Sequence, residues 1–184
     1  MENFIREYQI DASFCEKAIR RFEANPKKFS GVCNTGEILD SHKKSTDLSL
    51  IDDLELFDSY MNQIRGFIQD YVEGFGAYQA DGQLVTKSFP NIQRYLPNEG
   101  FYGLHYERPS ITVADREIVF MTYLNTLSNE GNQGSTEFPY QNYFGKPIVG
   151  NTLVWPAGFT HKHKGIPHKT ETKYIITGWL NWVF

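Results

Sequence analysis

Residues 173–180 read KYIITGWL, and this stretch decides the fold class. β-Branched and aromatic residues dominate it, as they do in β-strands. In a strand, alternate side chains point to the same face of the sheet. The four that share one face here are Lys173, Ile175, Thr177 and Trp179. The stretch therefore predicts a strand that begins with a cation on an otherwise largely apolar face.

Runs of the same kind recur through the second half of the chain. They are separated by turn sequences such as Asn129-Glu130-Gly131-Asn132. The runs cover residues 84–96, 101–106, 117–125, 148–155 and 173–184. Aromatic residues make up 15% of the chain, with 14 Phe and 11 Tyr, and this content also favours β structure.

The first third of the chain has helical periodicity instead. One apolar stripe begins near Ser13, where Glu16 completes a capping box. A second helix begins near Ser49 and ends around Gly74 and Gly76. The polar segment 27–47 between them is expected to be irregular. Together the patterns predict a mostly β protein in which two or three N-terminal helices pack on an antiparallel sandwich or barrel.

Length and charge narrow the class of protein. A chain of 184 residues is the size of one domain, so we expect a single domain over 1–184, with 1–76 supplying mainly supporting helices and 84–184 the β core. The net charge of −4 argues against a nucleic-acid partner. No apolar stretch reaches the roughly 18 residues that a membrane span needs. Cys15 and Cys33 fit no disulfide framework or metal-ligand spacing, and we expect them to pack in the interior of a cytoplasmic protein.

The segment 103–107, GLHYE, contains the candidate metal ligands. It places His105 and Glu107 two residues apart, so on a strand both side chains can reach one ion. A third ligand has to come from elsewhere, and the candidates are His161, His163 and His168. Two histidines and one carboxylate form the facial triad of non-haem iron(II) oxygenases, which leaves coordination positions open. A His-x-Glu pair alone is more often a surface feature, so the interpretation depends on its context.

Lys173 supplies part of that context. A cation at the base of an otherwise apolar cavity requires an anionic partner, because a buried, unpaired charge is costly. The distal carboxylate of a dicarboxylic cosubstrate would be such a partner. The alternative is a surface lysine at the start of a strand.

Over residues 93–182 the chain resembles the prolyl 4-hydroxylase branch of the 2-oxoglutarate/Fe(II) dioxygenases. The family's motifs occur in the expected order. They are Gln93-x-Tyr95, Gly100, His105-Tyr106-Glu107, Tyr123-Leu124-Asn125, Gly134-Ser135-Thr136-Glu137-Phe138-Pro139, Gly150-Asn151-Thr152-Leu153-Val154-Trp155, His163-x-Gly165-x-Pro167, Lys173-Tyr174 and Trp179-Leu180. The chain departs from the family at Glu107, where an aspartate is usual.

The resemblance implies a double-stranded β-helix (jelly roll) with iron bound by His105, Glu107 and His163. It also implies that Lys173 pairs with the distal carboxylate of 2-oxoglutarate, that Tyr95 binds this cosubstrate and that Thr136 lines its pocket. Fe(II), 2-oxoglutarate and O2 are the implied cofactors, with ascorbate as an optional one. The implied reaction is hydroxylation of a C–H bond with release of succinate and CO2. A prolyl residue of a peptide or protein is the leading substrate class.

Other interpretations of the sequence remain open. A catalytically silent jelly-roll binding module is one, and a zinc- or manganese-dependent cupin-type isomerase or hydrolase is another. Within the oxygenase class, a free amino acid or another small metabolite is an alternative substrate, whereas the acidic balance argues against nucleic-acid demethylation. Around His163, we expect His161 and His168 to form a solvated basic rim with Lys162, Lys164 and Lys169. Trp179 is expected either in the core or near the substrate entrance.

Overall fold

The computed structural model describes residues 2–32, 40–77, 83–128 and 130–183. Cys33 and Asn129, for which the sequence predicts interior packing and a turn, lie outside these ranges. The α-helices are α1 (Ala12–Ala24) and α2 (Leu54–Phe75). The strands are β1 (Arg6–Gln9), β2 (Phe29–Ser30), β3 (Thr46–Ser49), β4 (Gln83–Val85), β5 (Asn91–Tyr95), β6 (Arg116–Tyr123), β7 (Thr136–Phe138), β8 (Tyr143–Gly145), β9 (Asn151–Pro156), β10 (Lys164–Gly165) and β11 (Lys173–Val183). Short 3-10 turns cover Leu50–Asp52, Ile111–Val113, Glu130–Asn132 and Phe159–His161.

The strands form two antiparallel sheets. The larger sheet has the order β1-β9-β6-β11-β5-β3-β2, with β4 paired to the end of β11. The smaller sheet has the order β10-β7-β8. It covers one face of the larger sheet, where Phe138 of β7 packs edge-on against Trp155 of β9. This double-stranded β-helix confirms the predicted class of a mostly β fold with N-terminal helices.

Helices α1 and α2 cover the other face of the larger sheet. Because side chains alternate along a strand, each central strand contributes to two separate cores. In β6, Ile118 and Phe120 belong to the core under the helices, where the ring of Phe120 lies 6.1 Å from that of Tyr60 in α2. Val119 and Met121 belong to the core under the smaller sheet. The helices thus close one side of the sheet and leave the other side available for a cavity.

The ends of the helices follow local chemistry, with one difference from prediction. The expected capping box at Ser13 is wrong, because α1 begins after Asp11, whose side chain makes no capping hydrogen bond. The second helical region begins as predicted at Ser49 with a 3-10 turn, and α2 then starts after Asp53, whose carboxylate accepts from the N–H of Leu56. It ends at Gly76, which adopts the left-handed conformation (φ 60°) that favours glycine at this position. Among the described residues, no helix is long and apolar enough to cross a lipid bilayer.

Periodicity located the long strands but missed those of the N-terminal third. Strands β5, β6, β9 and β11 lie in or close to predicted runs. The run 101–106 is not a regular strand, since it pairs only through isolated bridges at Phe101 and His105. Strand β1 pairs with β9, and β3 pairs with β5, so the first 76 residues add strands to the larger sheet besides the two helices.

We predict that Phe120→Ala lowers the free energy of unfolding by about 3–5 kcal/mol, because the side chain is fully buried between β6 and the helices. Chemical denaturation of the purified variant measures this change. Ile111→Ala is the control, since Ile111 is 90% exposed and its truncation should change stability by no more than about 0.5 kcal/mol. Equal effects of the two substitutions would contradict the described packing.

Candidate active site

A cavity of about 290 Å³ lies between the larger sheet and the segments that cover it. All six predicted site residues line this one cavity, although they come from five separate places in the sequence. They are Tyr95, His105, Glu107, Thr136, His163 and Lys173. Strands β5 and β11 bring two of them together directly, since Tyr95 and Lys173 are paired in register.

Backbone pairing outside the regular strands brings the two histidines together. His105 and His163 form an isolated antiparallel bridge in which each N–H donates to the other's carbonyl, at 3.0 and 2.8 Å. Two residues further on, the N–H of Glu107 donates to the carbonyl of Ala157 at 3.1 Å. The same-face geometry expected of a His-x-Glu strand is therefore produced by a short irregular segment held at both ends.

The three side chains converge on one point. Glu107 Oε1 lies 3.5 Å from His105 Nε2 and 3.3 Å from His163 Nε2. One potential ligand atom from each of the three residues lies within 4.8 Å of the other two. Glu107 and His163 are buried, and the ring of Phe101 stacks on that of His105 at 3.6 Å. Three donors this close, in a largely buried setting, can coordinate one metal ion.

Hydrogen bonds fix the orientation of both imidazoles. The Nδ1–H of His105 donates to the carbonyl of Gly103 at 2.7 Å, and that of His163 donates to the carbonyl of His161 at 2.9 Å. Because a carbonyl only accepts, each neutral ring carries its proton on Nδ1 and presents the lone pair of Nε2 to the cluster. Such second contacts are typical of metal-binding histidines.

The ionisation states also suit a metal. Burial acts to raise the pKa of Glu107, but the adjacent imidazoles of His105 and His163 outweigh it and hold the pKa well below the usual value. Burial, together with the nearby His105, lowers the pKa of His163. The cluster therefore favours a carboxylate beside a neutral imidazole, which are the forms that bind metal.

The other carboxylate oxygen of Glu107 is held by groups from two strands of the larger sheet. The indole N–H of Trp179 donates to Oε2 at 2.9 Å, and Arg116 Nη1 lies 3.5 Å from the same atom. Trp179 was expected in the core or near the substrate entrance, and it lines the cavity while packing partly against the core. Sequence reasoning missed Arg116, because nothing local distinguishes it from a charge at the start of a strand.

Lys173 lies in a different part of the cavity wall. It is buried, and its Nζ donates to the carbonyl of Gly134 at 3.3 Å and lies 4.9 Å from the ring centroid of Tyr95. Among the described residues, no carboxylate forms an ion pair with it, and burial lowers the pKa of Lys173 to about 8. The hydroxyl of Thr136 is already hydrogen-bonded to that of Tyr123 at 2.8 Å. The burial of Lys173 contradicts the alternative of a surface lysine and agrees with the predicted cation in the cavity, which is complementary to an anionic ligand.

The residues present fit iron(II) and 2-oxoglutarate. The fit rests on the facial set of two imidazoles and one carboxylate and on the buried ammonium of Lys173. One further donor is available, because the buried indole N–H of Trp155 has no hydrogen-bond partner within the part of the chain that the structure describes. Trp155 lines the cavity and packs edge-on against His163, with 5.1 Å between ring centroids.

The expected basic rim around His163 is wrong for two of its members. His161 and His168 are both buried. The ring of His161 contacts the carbonyl of Asn3 at 2.9 Å, and that of His168 contacts Ser128 and Glu171. These histidines connect separate segments of the chain through hydrogen bonds. Because this role depends on distant partners, the sequence around each histidine does not indicate it.

A second polar cluster in the cavity was also missed. Lys43 Nζ and Asp47 Oδ2 form a buried ion pair at 2.7 Å, and Ser45 donates to the other oxygen of Asp47 at 2.6 Å. Lys43 and Asp47 both line the cavity. The segment 27–47 was interpreted as irregular, and an opposite-charge pair at this spacing is common on exposed surfaces. Only the pairing of β3 with β5 makes it part of the interior.

Two histidines and a carboxylate on a jelly roll, with a buried cation nearby, are the features of a non-haem iron(II) oxygenase. A sequence profile of the 2OG-Fe(II) oxygenase superfamily matches residues 90–181, which is half of the chain. The protein belongs to this superfamily, and it is a 2-oxoglutarate-dependent dioxygenase that uses Fe(II) and O2. The resemblance seen in the sequence motifs is confirmed at this level.

Solved structures with the same fold include several prolyl hydroxylases. One from Trichoplax adhaerens, in complex with a hypoxia inducible factor oxygen degradation domain peptide fragment, has a TM-score of 0.78 at 13% identity, covering 97% of this chain and 84% of that one. A prolyl-4-hydroxylase from Pseudomonas putida has a TM-score of 0.74 at 17% identity, covering 96% and 92%. A viral collagen prolyl hydroxylase from Paramecium Bursaria Chlorella virus-1, a 2OG complex, has a TM-score of 0.65 at 16% identity, covering 98% and 97%. At these identities the likeness establishes the fold, and a comparison with curated protein sequences finds no match.

Lys173→Met is predicted to stabilise the ligand-free protein by about 3 kcal/mol at pH 7, because it removes a buried charge whose pKa falls from 10.5 to about 8 on folding. Between pH 8 and 10.5 the unfolded parent binds more protons than the folded parent, so the stability of the parent rises with pH. The advantage of the variant should therefore shrink across this range. Denaturation curves at several pH values measure it, with the exposed Lys169→Met as control, and a pH-independent difference would contradict the assignment.

Proposed function

We propose that this oxygenase hydroxylates a prolyl residue in a peptide or protein, with Fe(II) held by His105, Glu107 and His163 and 2-oxoglutarate held by Lys173. The observation that carries the proposal is that one cavity contains both the metal-type cluster and the buried Lys173, which has no ion-pair partner among the described residues. A metal-dependent isomerase or hydrolase would have no use for this lysine. A silent binding module would have no need of a complete ligand set.

In this proposal the protein supplies positioning and charge. The hydrogen bonds from Nδ1 to Gly103 and His161 keep the Nε2 atoms of both histidines directed at the metal. When bound, iron(II) and 2-oxoglutarate would allow O2 to act as the oxidant: one oxygen atom would convert the C–H bond to C–OH, and the other would enter succinate as 2-oxoglutarate loses CO2. The apolar residues around His163, including Phe138 and Trp155, exclude water from this position.

Lys173 has the role of binding the distal carboxylate of 2-oxoglutarate. A charge-assisted hydrogen bond in a buried setting compensates a cation whose neighbours among the described residues are a carbonyl and an aromatic ring, with no carboxylate. Tyr95 is the proposed second contact, since its ring lies beside the ammonium and its hydroxyl donates to Gln93 at 2.6 Å within the same cavity wall. Thr136 contributes to the wall of the pocket, with its hydroxyl already bound to Tyr123.

The prolyl substrate is supported by the related folds and by the remaining polar wall of the cavity. The Trichoplax adhaerens relative is a prolyl hydroxylase in complex with a peptide fragment, and the viral relative is a collagen prolyl hydroxylase. Asn91, Gln93 and Asp47 line the cavity here and offer hydrogen-bonding groups of the kind that peptide amides require. A free amino acid or small metabolite is the alternative substrate class.

His105→Ala and His163→Ala are each predicted to abolish iron-dependent formation of succinate from 2-oxoglutarate and to lower metal affinity by orders of magnitude, because each removes one of three ligands. The fold should survive, which circular dichroism and thermal melting of the metal-free proteins would check. The matched control is His42→Ala, since His42 is exposed and outside the cluster. Parent-like metal binding and turnover in either cluster variant would remove that histidine from the proposed ligand set.

A proline-containing peptide is predicted to stimulate succinate formation and to gain one oxygen atom, because a fitting acceptor couples oxidation of the cosubstrate to its own hydroxylation. Succinate release and peptide mass spectrometry, with Fe(II) and ascorbate under air, measure the two effects. The control peptide carries alanine in place of each proline. Stimulation by free proline or another small metabolite, with no response to any proline peptide, would replace the peptide substrate by the small-molecule alternative.

A further inference from the structure

Glutamate at position 107 poses a geometric problem. Its carboxylate is one methylene longer than that of aspartate, and it has one more rotatable bond to restrain. A ligand that can rotate loses affinity because its ordering opposes binding. In this protein, however, Oε1 alone is directed at the two histidines, while Oε2 points toward strands β6 and β11 of the larger sheet. Something must therefore hold the second oxygen in place.

Trp179 meets Oε2 from strand β11. Its indole N–H donates to Oε2 at 2.9 Å, and a hydrogen bond to a charged acceptor is among the stronger kinds. The residue lies on the face of β11 that begins with Lys173, opposite Val119 of β6. This register fixes the indole, so the donor is positioned by the sheet and not by a flexible loop.

Arg116 completes the contact from strand β6. Its guanidinium lies 3.8 Å from the centroid of the Trp179 ring, and its Nη1 is 3.5 Å from Oε2 and donates to the carbonyl of Glu107 at 3.1 Å. A shift in register between Leu180 and Asn181 brings Arg116 opposite Asn181. Bulges of this kind redirect side chains next to functional sites.

We infer that Trp179 and Arg116 are positioning residues that fix Glu107 as a ligand through Oε1. The indole N–H holds Oε2. The guanidinium balances the carboxylate charge and contacts both the side chain and the backbone of Glu107. Because the guanidinium packs on the indole ring, each of the two residues restrains the other. The bulge and the tryptophan together allow a glutamate to serve where the family usually has an aspartate. This inference rests on the proposed function, because it concerns the same metal cluster.

Metal affinity in the absence of turnover is the test. Mn(II) binding to the metal-free protein, measured by electron paramagnetic resonance of the free ion, should weaken about tenfold or more in Trp179→Phe, which keeps a ring for Arg116 but lacks the N–H. Arg116→Met should weaken it by a similar factor. The control is Trp182→Phe, since Trp182 does not line the cavity. Parent-like affinity in both cavity variants would overturn the inference.

A double-mutant cycle separates positioning from a general effect on structure. In Glu107→Asp the carboxylate is too short to reach the indole, so adding Trp179→Phe should change Mn(II) affinity by less than about twofold. A tenfold loss in both backgrounds would mean that Trp179 acts without Glu107 and would overturn the inference.

His105→Ala distinguishes failure of the positioning role from failure of the metal centre itself. If it loses Mn(II) while Trp179→Phe and Arg116→Met bind as the parent does, the positioning role fails and the metal centre stands. If His105→Ala itself binds as the parent does, the proposed metal centre fails and the positioning role fails with it.

Discussion

The alternation of side chains along β6 and β11 is the constraint on which the rest of this structure depends. These two strands are central in the larger sheet, and each buries both of its faces. In β11, Ile176 and Leu180 pack under the helices, whereas Lys173 and Trp179 point into the cavity. A slip of one residue would exchange the two sets, placing a charge in the helical core and removing it from the ligand pocket. Fold stability and site geometry are therefore enforced by the same register.

The cavity contains an anionic group, Glu107, and a cationic group, Lys173, and the protein balances the two charges to different extents. The carboxylate of Glu107 is surrounded by His105, His163 and Arg116, and the two histidines hold its pKa low despite burial. The ammonium of Lys173 has a carbonyl and an aromatic ring beside it, and its pKa falls to about 8. The first group is satisfied before any ligand arrives, whereas the second is stabilised mainly by binding an anion. The protein thus gives up some stability in its free form to favour binding of a dicarboxylic cosubstrate.

Periodicity predicted the long strands and both helices because each carries a local signal many residues long. The short strands β1 and β3 carry almost none, and their existence depends on partners that lie far away in the chain. Distant partners also explain the burial of His161, which contacts Asn3. They explain the buried ion pair of Lys43 with Asp47 as well, since the pairing of β3 with β5 places it in the interior. The candidate ligands were found through ordered motifs, whereas the irregular backbone that holds His105 against His163 was not foreseen. Local pattern therefore specifies which residues can do the chemistry, and long-range pairing decides what surrounds them.

Glu107 is held by residues that lie apart in the sequence. Considered as a single position, a glutamate in place of aspartate suggests a weaker or displaced ligand. The structure connects it to Trp179 through a hydrogen bond and to Arg116, which a register shift at the start of β6 places beside it. Neither Trp179 nor Arg116 stands out in the sequence, so their connection to Glu107 becomes visible only in the structure. The extra length of the glutamate is therefore matched by a donor and a cation that the sheet beneath it holds in place.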